Sequence, residues 1–224
     1  PRLAALWPVR LDFTPLADPP GFRRLGKARR SAFSPLAGLS GAPAARAADP
    51  PLCAGLFGGP PPPGIVPIAC FTDYRCPYCA VLDRRLYALA DDLGAGVRLT
   101  WHDWPVLGRA SDMAARAAVA AGRQGAYRAF HEALMGSAFV PTEGYLRDLA
   151  TRAGIDPDRL IAEMDGPAVA RRLAVSAALA ARLGFAGTPG LVVGRSVAEG
   201  AVGAATLDAL VARERTEGPV PGCA

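Results

Sequence analysis

Two cysteines separated by a proline and a tyrosine, Cys76 and Cys79 in FTDYRCPYCA (71–80), are the residues of this 224-residue chain best placed to do chemistry. Such a pair can hold a metal, carry a haem, staple a loop or exchange disulfides with another protein. Covalent haem attachment needs a histidine directly after the second cysteine, and residue 80 is alanine. A structural zinc site needs four ligands, usually two such pairs. The other candidates, Cys53, Cys70, Cys223, His102 and His131, show no paired spacing, so no metal is expected. A bridge across so short a span restrains little chain. Disulfide exchange remains, and the local sequence supplies its physics. Pro77 suits the first position of a helix. That puts Cys76 at the helix N-terminus, where unsatisfied N–H groups and the macrodipole stabilise the attacking thiolate. Cys79, one turn inside, is expected to be more buried and to resolve a mixed disulfide on Cys76. A soft-metal carrier using the same thiolates is the alternative from another class, and metal stoichiometry on the reduced protein separates the two.

The elements that must position this pair are legible on both sides of it. The apolar run IVPIACF (65–71) predicts a buried strand, with regular pairing from about Ile68 because Pro67 cannot donate to a ladder. A helix follows over 77–92, its apolar side formed by Tyr78, Leu82, Leu86, Leu89 and Leu93, with Asp83 off that face. VRLTW (97–101) is the next strand, which makes a parallel crossover unit. Residues 110–184 read as helical throughout. Ser111 caps a helix over 112–121, another spans 126–135, and Thr142 caps one reaching about Ala153. Asp156–Pro157 opens a further helix, and Pro167 opens the last, which ends at Gly184. GTPGLVVGRSVAEG (187–200) reads as two strands around a Gly194–Arg195 turn, followed by a helix over 204–214. A β-α-β unit and a β-β-α unit thus flank a block of helices, an α/β arrangement.

Residues 1–63 differ in composition. DPPGF, SGAPAARAADPP and GGPPPPG are dense in proline and glycine, which oppose regular elements and favour an arm lying on the domain; only VRLDF (9–13) alternates like a strand. PPPP (60–63) marks the boundary. The net charge is +5, spread along helices, apart from Arg23, Arg24, Lys27, Arg29 and Arg30. That cluster reads as a solvated extension, and no interleaved aromatics form a platform for nucleic acid. No apolar run is long enough to span a bilayer. PRLAALWPVR lacks the apolar stretch of a signal peptide, and the start at Pro1 is read as processed or trimmed.

FTDYRCPYC, WPVLG (104–108), QGAYRAFHEALM (124–135) and LGFAGTPGLVVG (183–194) together resemble the DsbA-like thiol–disulfide oxidoreductases, in the family's order, over about residues 65–214. The resemblance implies a thioredoxin fold with an inserted helical domain, preceded by the proline- and glycine-rich extension. The divisions are 1–63 for the extension, 64–108 and 185–216 for the two fold halves, 109–184 for the insertion and 217–224 for the tail. It implies that Pro189 is a cis-proline facing Cys76 and Cys79, with Thr188, Pro77 and Tyr78 also meeting substrate. A substrate chain can pair with the Thr188 backbone strand to strand. It implies substrate proteins with thiols or disulfides as partners, a membrane redox partner that resets the pair, no cofactor and no nucleic acid. The implied compartment is the bacterial periplasm, where disulfides persist, with a segment preceding Pro1 as the means of any membrane tether. An oxidase is the expected direction, and an isomerase or reductase of the copper-tolerance type the alternative.

The chain departs from the family at two places. Many relatives carry a buried acidic residue six positions before the first active cysteine, to help move the proton of the second; here that position is Cys70. Asp73 is nearer the motif but is expected as a cap or at the surface. Gly190, after the cis-proline, is smaller than usual and is expected to loosen substrate contacts. Cys70 is expected as a free buried thiol. Cys53 and Cys223 are expected to form a structural disulfide, since an arm with little core of its own is best held covalently. His102 and His131 are read as structural or surface residues, and Trp7, Trp101 and Trp104 as packing residues.

Overall fold

The computed structural model describes residues 9–26, 51–137 and 139–223. Trp7, Lys27, Arg29 and Arg30 lie outside the described residues. The strand after the PPPP boundary is β3 (Val66–Thr72), every residue of which is buried. It pairs in parallel with β4 (Val97–Asp103), from Val66↔Val97 to Thr72↔Asp103. Pairing therefore starts at Val66, two residues earlier than Pro67 predicts. A residue's N–H and C=O point to the same side of a strand, and the Pro67 carbonyl accepts from Gly194 N–H at 2.8 Å. The missing N–H thus faces away from β4 and leaves that ladder intact.

On its other side β3 runs antiparallel to β5 (Gly190–Val193), which continues through the Gly194–Arg195 turn into β6 (Ser196–Glu199). Side chains alternate across β3. Ile68 and Cys70 pack beneath Leu82, Leu86 and Leu89 of α2 (Pro77–Leu93) and Leu207, Leu210 and Val211 of α8 (Ala204–Thr216). Ala69 and Phe71 pack on the opposite face against Leu179 and Ala180 of α7 (Pro167–Arg182). Between β4 and α7 the chain forms α3 (Arg109–Gly122), α4 (Tyr127–Gly136), α5 (Glu143–Arg152) and α6 (Pro157–Met164). They share a second core built on Phe130, Leu146, Leu160 and the alanines of α3. Thr142 and Asp156 cap α5 and α6 as their sequences predict. Ser111 does not cap α3: the cap residue is Gly108, and Ser111 lies buried in the first turn with its hydroxyl turned inward.

The N-terminal extension contains regular elements that its composition hides. β1 (Phe13–Pro15) pairs antiparallel with β2 (Arg23–Leu25), and β2 lies parallel to β6. The sheet order is β1-β2-β6-β5-β3-β4. VRLDF is thus not itself the strand; only its last residue, Phe13, begins one. The helix α1 (Leu52–Phe57) buries Leu56 and Phe57 against Phe71 and Leu183. A disulfide and inward-turned arginines add to that pairing and burial in holding the extension. Cys53 of α1 is joined to Cys223, with Cα atoms 5.1 Å apart. Arg23, far from a freely solvated cation, donates to Glu214 at 2.7 Å, to both Glu217 oxygens at 2.7 and 2.8 Å and to Ser196 Oγ at 2.9 Å. Arg24 also turns inward and donates to the Leu183 carbonyl.

Candidate active site

Cys76 is the cap residue of α2, in extended conformation, with Pro77 in the first helical position. Its own carbonyl begins the helix by accepting from Cys79 and Ala80 N–H. Its thiol donates to the Thr188 carbonyl at 3.4 Å, and the Thr188–Pro189 bond is cis. The motif and the loop before β5 therefore meet at one sulfur. Cys76 is 6% exposed, and Cys79, one turn deeper, is fully buried. Burial pushes the Cys79 thiol up to about 12. The Asp73 N–H, 3.5 Å from its sulfur, acts in the opposite direction.

Tyr78 departs from its predicted place on the apolar side of α2. It is 66% exposed. Val106, Leu107, Met113, Phe139 and Val140 are also exposed. Val106, Met113, Val140 and Pro141 line a groove of about 970 Å³ whose other walls carry Arg109 and Arg116.

Asp73 is neither at the surface nor a helix cap. It is 1% exposed and accepts four hydrogen bonds, from Arg75 N–H, Val106 N–H, Leu107 N–H and the Ser111 hydroxyl, at 2.7 to 3.0 Å. One carboxylate thus joins the turn before Cys76, the WPVLG loop and the first turn of α3. Its backbone carbonyl also accepts from Cys76 N–H. An aspartate three residues before a cysteine carries no sequence signal for this.

Asp83 is likewise buried, although it falls outside the apolar stripe of α2. The insertion covers it: His131 of α4 places Nε2 3.1 Å from Asp83 Oδ2. Cys70 is a free thiol, 1% exposed, with its sulfur 3.9 Å from Asp83 Oδ1. Burial and then the Asp83 charge push the Cys70 thiol well above its ordinary range. Burial also raises Asp83, with His131 pulling it back. On its far side His131 Nδ1 lies 3.0 Å from Tyr74 Oη and 3.3 Å from Tyr127 Oη. Both tyrosines donate to Asp103, whose carboxyl is also raised, by burial. His131 therefore belongs to a buried polar chain. His102, also buried, instead joins Leu56 to Ser176.

Gly190 has a packing cause: a Cβ there would come within 2.8 Å of the Phe185 ring. Trp101 packs on the α2 face of the sheet, with the cluster of Cys70 and Leu82, and is tilted against Tyr87 and His131. Among the described residues, no group of three or more metal-ligating side chains is assembled.

Residues 67–213 match the family described as DSBA-like thioredoxin domain. A thioredoxin-like oxidoreductase from Silicibacter pomeroyi is 40% identical, with a TM-score of 0.67, over 74% of this chain and 98% of its own. The thiol–disulfide exchange protein alpha-DsbA2 of Wolbachia pipientis is 28% identical, TM-score 0.61, over 66% of this chain and 81% of its own. A periplasmic thioredoxin-like protein from Salmonella enterica serovar Typhimurium is 28% identical, TM-score 0.64, over 74% and 97%. No curated protein matches by sequence.

Proposed function

From the premise that the chain belongs to the DSBA-like thioredoxin domain family and is a thiol–disulfide oxidoreductase, we propose that it oxidises the thiols of substrate proteins in the bacterial periplasm through Cys76 and Cys79. The supporting observation is the position of Cys76. It lies at the N-terminus of α2, beside the Thr188 carbonyl, with Cys79 buried one turn behind. A substrate thiolate attacks Cys76 Sγ of the oxidised pair, the Cys76–Cys79 bond breaks, and Cys79 leaves with the electron pair. A second substrate thiolate then attacks the substrate sulfur of the mixed disulfide and releases Cys76 as a thiolate. The substrate loses two electrons and the pair gains them. The sulfur released is the one at the N-terminus of α2, and that position is the argument for the oxidising direction.

The substrate chain would lie along Thr188 and Pro189, with the exposed Tyr78 and the apolar groove, tied to the motif through Asp73 and Val106, receiving its neighbouring side chains. A membrane redox partner would then reoxidise the pair. The periplasm fits both the exchange chemistry and the description of the Salmonella relative as periplasmic. Among the described residues no helix is long and apolar enough to cross a membrane.

Two measurements test this. Cys76→Ser should abolish oxidation of a reduced model protein, and Cys79→Ser, given a disulfide-bonded model protein for Cys76 to attack, should accumulate mixed disulfides. The reduction potential of the pair should lie above about −180 mV, towards the oxidising end for this fold. Alkylation of Cys79 before Cys76 would overturn the roles, and a potential below about −230 mV would overturn the direction.

A further inference from the structure

Resting on the exchange role of Cys76 and Cys79, we propose that Asp83 holds the proton that Cys79 gains and loses, with the Thr72 hydroxyl as the bridge between them. Cys79 must be a thiolate when it attacks and must gain a proton after it leaves. It is fully buried, so the partner has to be inside the protein.

The nearby groups narrow the choice. Asp73 contributes only its backbone N–H to Cys79, since its carboxylate already accepts from four donors that hold the motif together. Cys70, a thiol pushed well above its ordinary range, is no base near neutral pH. Asp83 lies four residues after Cys79, on the same side of α2. The Thr72 hydroxyl, at the end of β3, is buried with no partner in hydrogen-bonding geometry. Yet it stands beside both the Cys79 thiol and the Asp83 carboxyl and acts on each. A buried hydroxyl is rarely left unpaired, and one set between a thiol and a carboxyl can accept from the first while donating to the second.

Atoms and electrons balance in both directions. When Cys79 resolves a mixed disulfide, its S–H proton passes to Thr72 Oγ1 as the Thr72 proton passes to Asp83. The Cys79–Cys76 bond forms, the bond from Cys76 to the substrate sulfur breaks, and the substrate thiolate leaves with the electron pair. When substrate instead opens the Cys76–Cys79 disulfide, the protons run the other way and Cys79 leaves as a thiol.

Asp83 is not sealed off. His131 behind it reaches Tyr127 and Asp103, and both of these line a groove of about 490 Å³ between β4, α3 and α7. The titratable groups facing Asp83 are Cys79 and Tyr87 on its own helix, Cys70 on β3 and His131 on α4. Beyond His131 stand Tyr74, Tyr127 and Asp103, with Arg172 acting on Asp103 and with Arg128 and Glu132 acting on Tyr87. Asp83 and Thr72 are thus positioning residues for the Cys79 proton, acting behind the reacting sulfurs.

The test is single-turnover reaction of the full reduced chain with oxidised glutathione. Capture on Cys76 is separated from resolution by Cys79 by acid quench and mass measurement. Asp83→Asn should slow resolution at least tenfold at neutral pH and remove the carboxyl-dependent rise of its rate with pH. Asp83→Glu should restore part of both. Thr72→Val should reproduce the loss with Asp83 intact, and Thr72→Ser should not. Unchanged capture rates show that each variant is folded. Wild-type resolution rates and pH profiles in both Asp83→Asn and Thr72→Val, with capture intact, would overturn the proposal. Failure of Cys76 to capture glutathione in the wild-type protein would instead overturn the exchange role itself.

Discussion

His102 should make the protein sensitive to acid. It is fully buried on β4, with Nε2 3.0 Å from the Leu56 carbonyl, Nδ1 3.3 Å from Ser176 Oγ and its ring stacked on Phe71 at 4.4 Å. Burial, with Arg172 adding to it, lowers its pKa to about 3, against about 6.5 in an unfolded chain. Between those values the unfolded state holds one more proton at this site than the folded state. Stability therefore falls as pH falls, by about 1.4 kcal/mol per unit. By pH 4.5 the loss is about 3 kcal/mol, and it approaches about 5 kcal/mol near pH 3. Asp83 and Asp103 work the other way. Their raised carboxyls favour the folded state below the ordinary carboxylate range, and that favour is lost as pH rises through their folded values. A comparison with His102→Gln cancels them, since both proteins carry them. At pH 7 the variant should be less stable by about 1–2 kcal/mol, having lost ring stacking and one hydrogen bond. At pH 4.5 the order should reverse. Urea unfolding followed by tryptophan fluorescence at the two pH values measures both gaps. If the gap is the same at both values to within about 0.5 kcal/mol, His102 is not the neutral buried base described here.

Asp73→Asn presents an NH₂ where two N–H donors now converge, and should cost about 3 kcal/mol in urea unfolding while altering the alkylation rate of Cys76; a loss below about 1 kcal/mol would contradict its role in holding three segments. Arg23→Ala should cost about 1–3 kcal/mol, less than for a wholly orphaned buried charge, because Glu214 keeps Ser196 and Arg195 as partners. A neutral result would show that the β2 pairing alone holds the extension. Replacing both Cys53 and Cys223 by alanine opens a link of 170 residues in sequence separation and should lower stability by up to roughly 5 kcal/mol. A thermal midpoint unchanged by that replacement would show the link to be dispensable.

The helices were legible where one local rule sufficed. The 3.6-residue stripe marks α2, and Thr142 and Asp156–Pro157 mark two helix starts. β1 and β2 escaped because three residues cannot show alternation, and because β2 owes its pairing to β6 and to Glu214 and Glu217, nearly two hundred residues away. Asp73 and Asp83 escaped for a related reason. Each is polar in its own segment, and each is buried by another: Asp73 by the WPVLG loop and α3, Asp83 by α4. Periodicity reports the face that an element turns to its own sheet, and it is blind to a second body packed on the opposite side.

The hairpin of β1 and β2 changes what the sheet offers to other chains. Without it, β6 would present unpaired N–H and C=O groups, a template for any extended polypeptide. With it, the outermost strand is three residues long and ends in Pro15, which has no N–H to give. At the opposite margin Arg172 occupies the Trp101 carbonyl of β4. If the protein's substrates are incompletely folded chains, it meets many exposed strands. A short, proline-ended margin offers such strands little to pair with, which would favour engagement at Cys76 over edge-to-edge association.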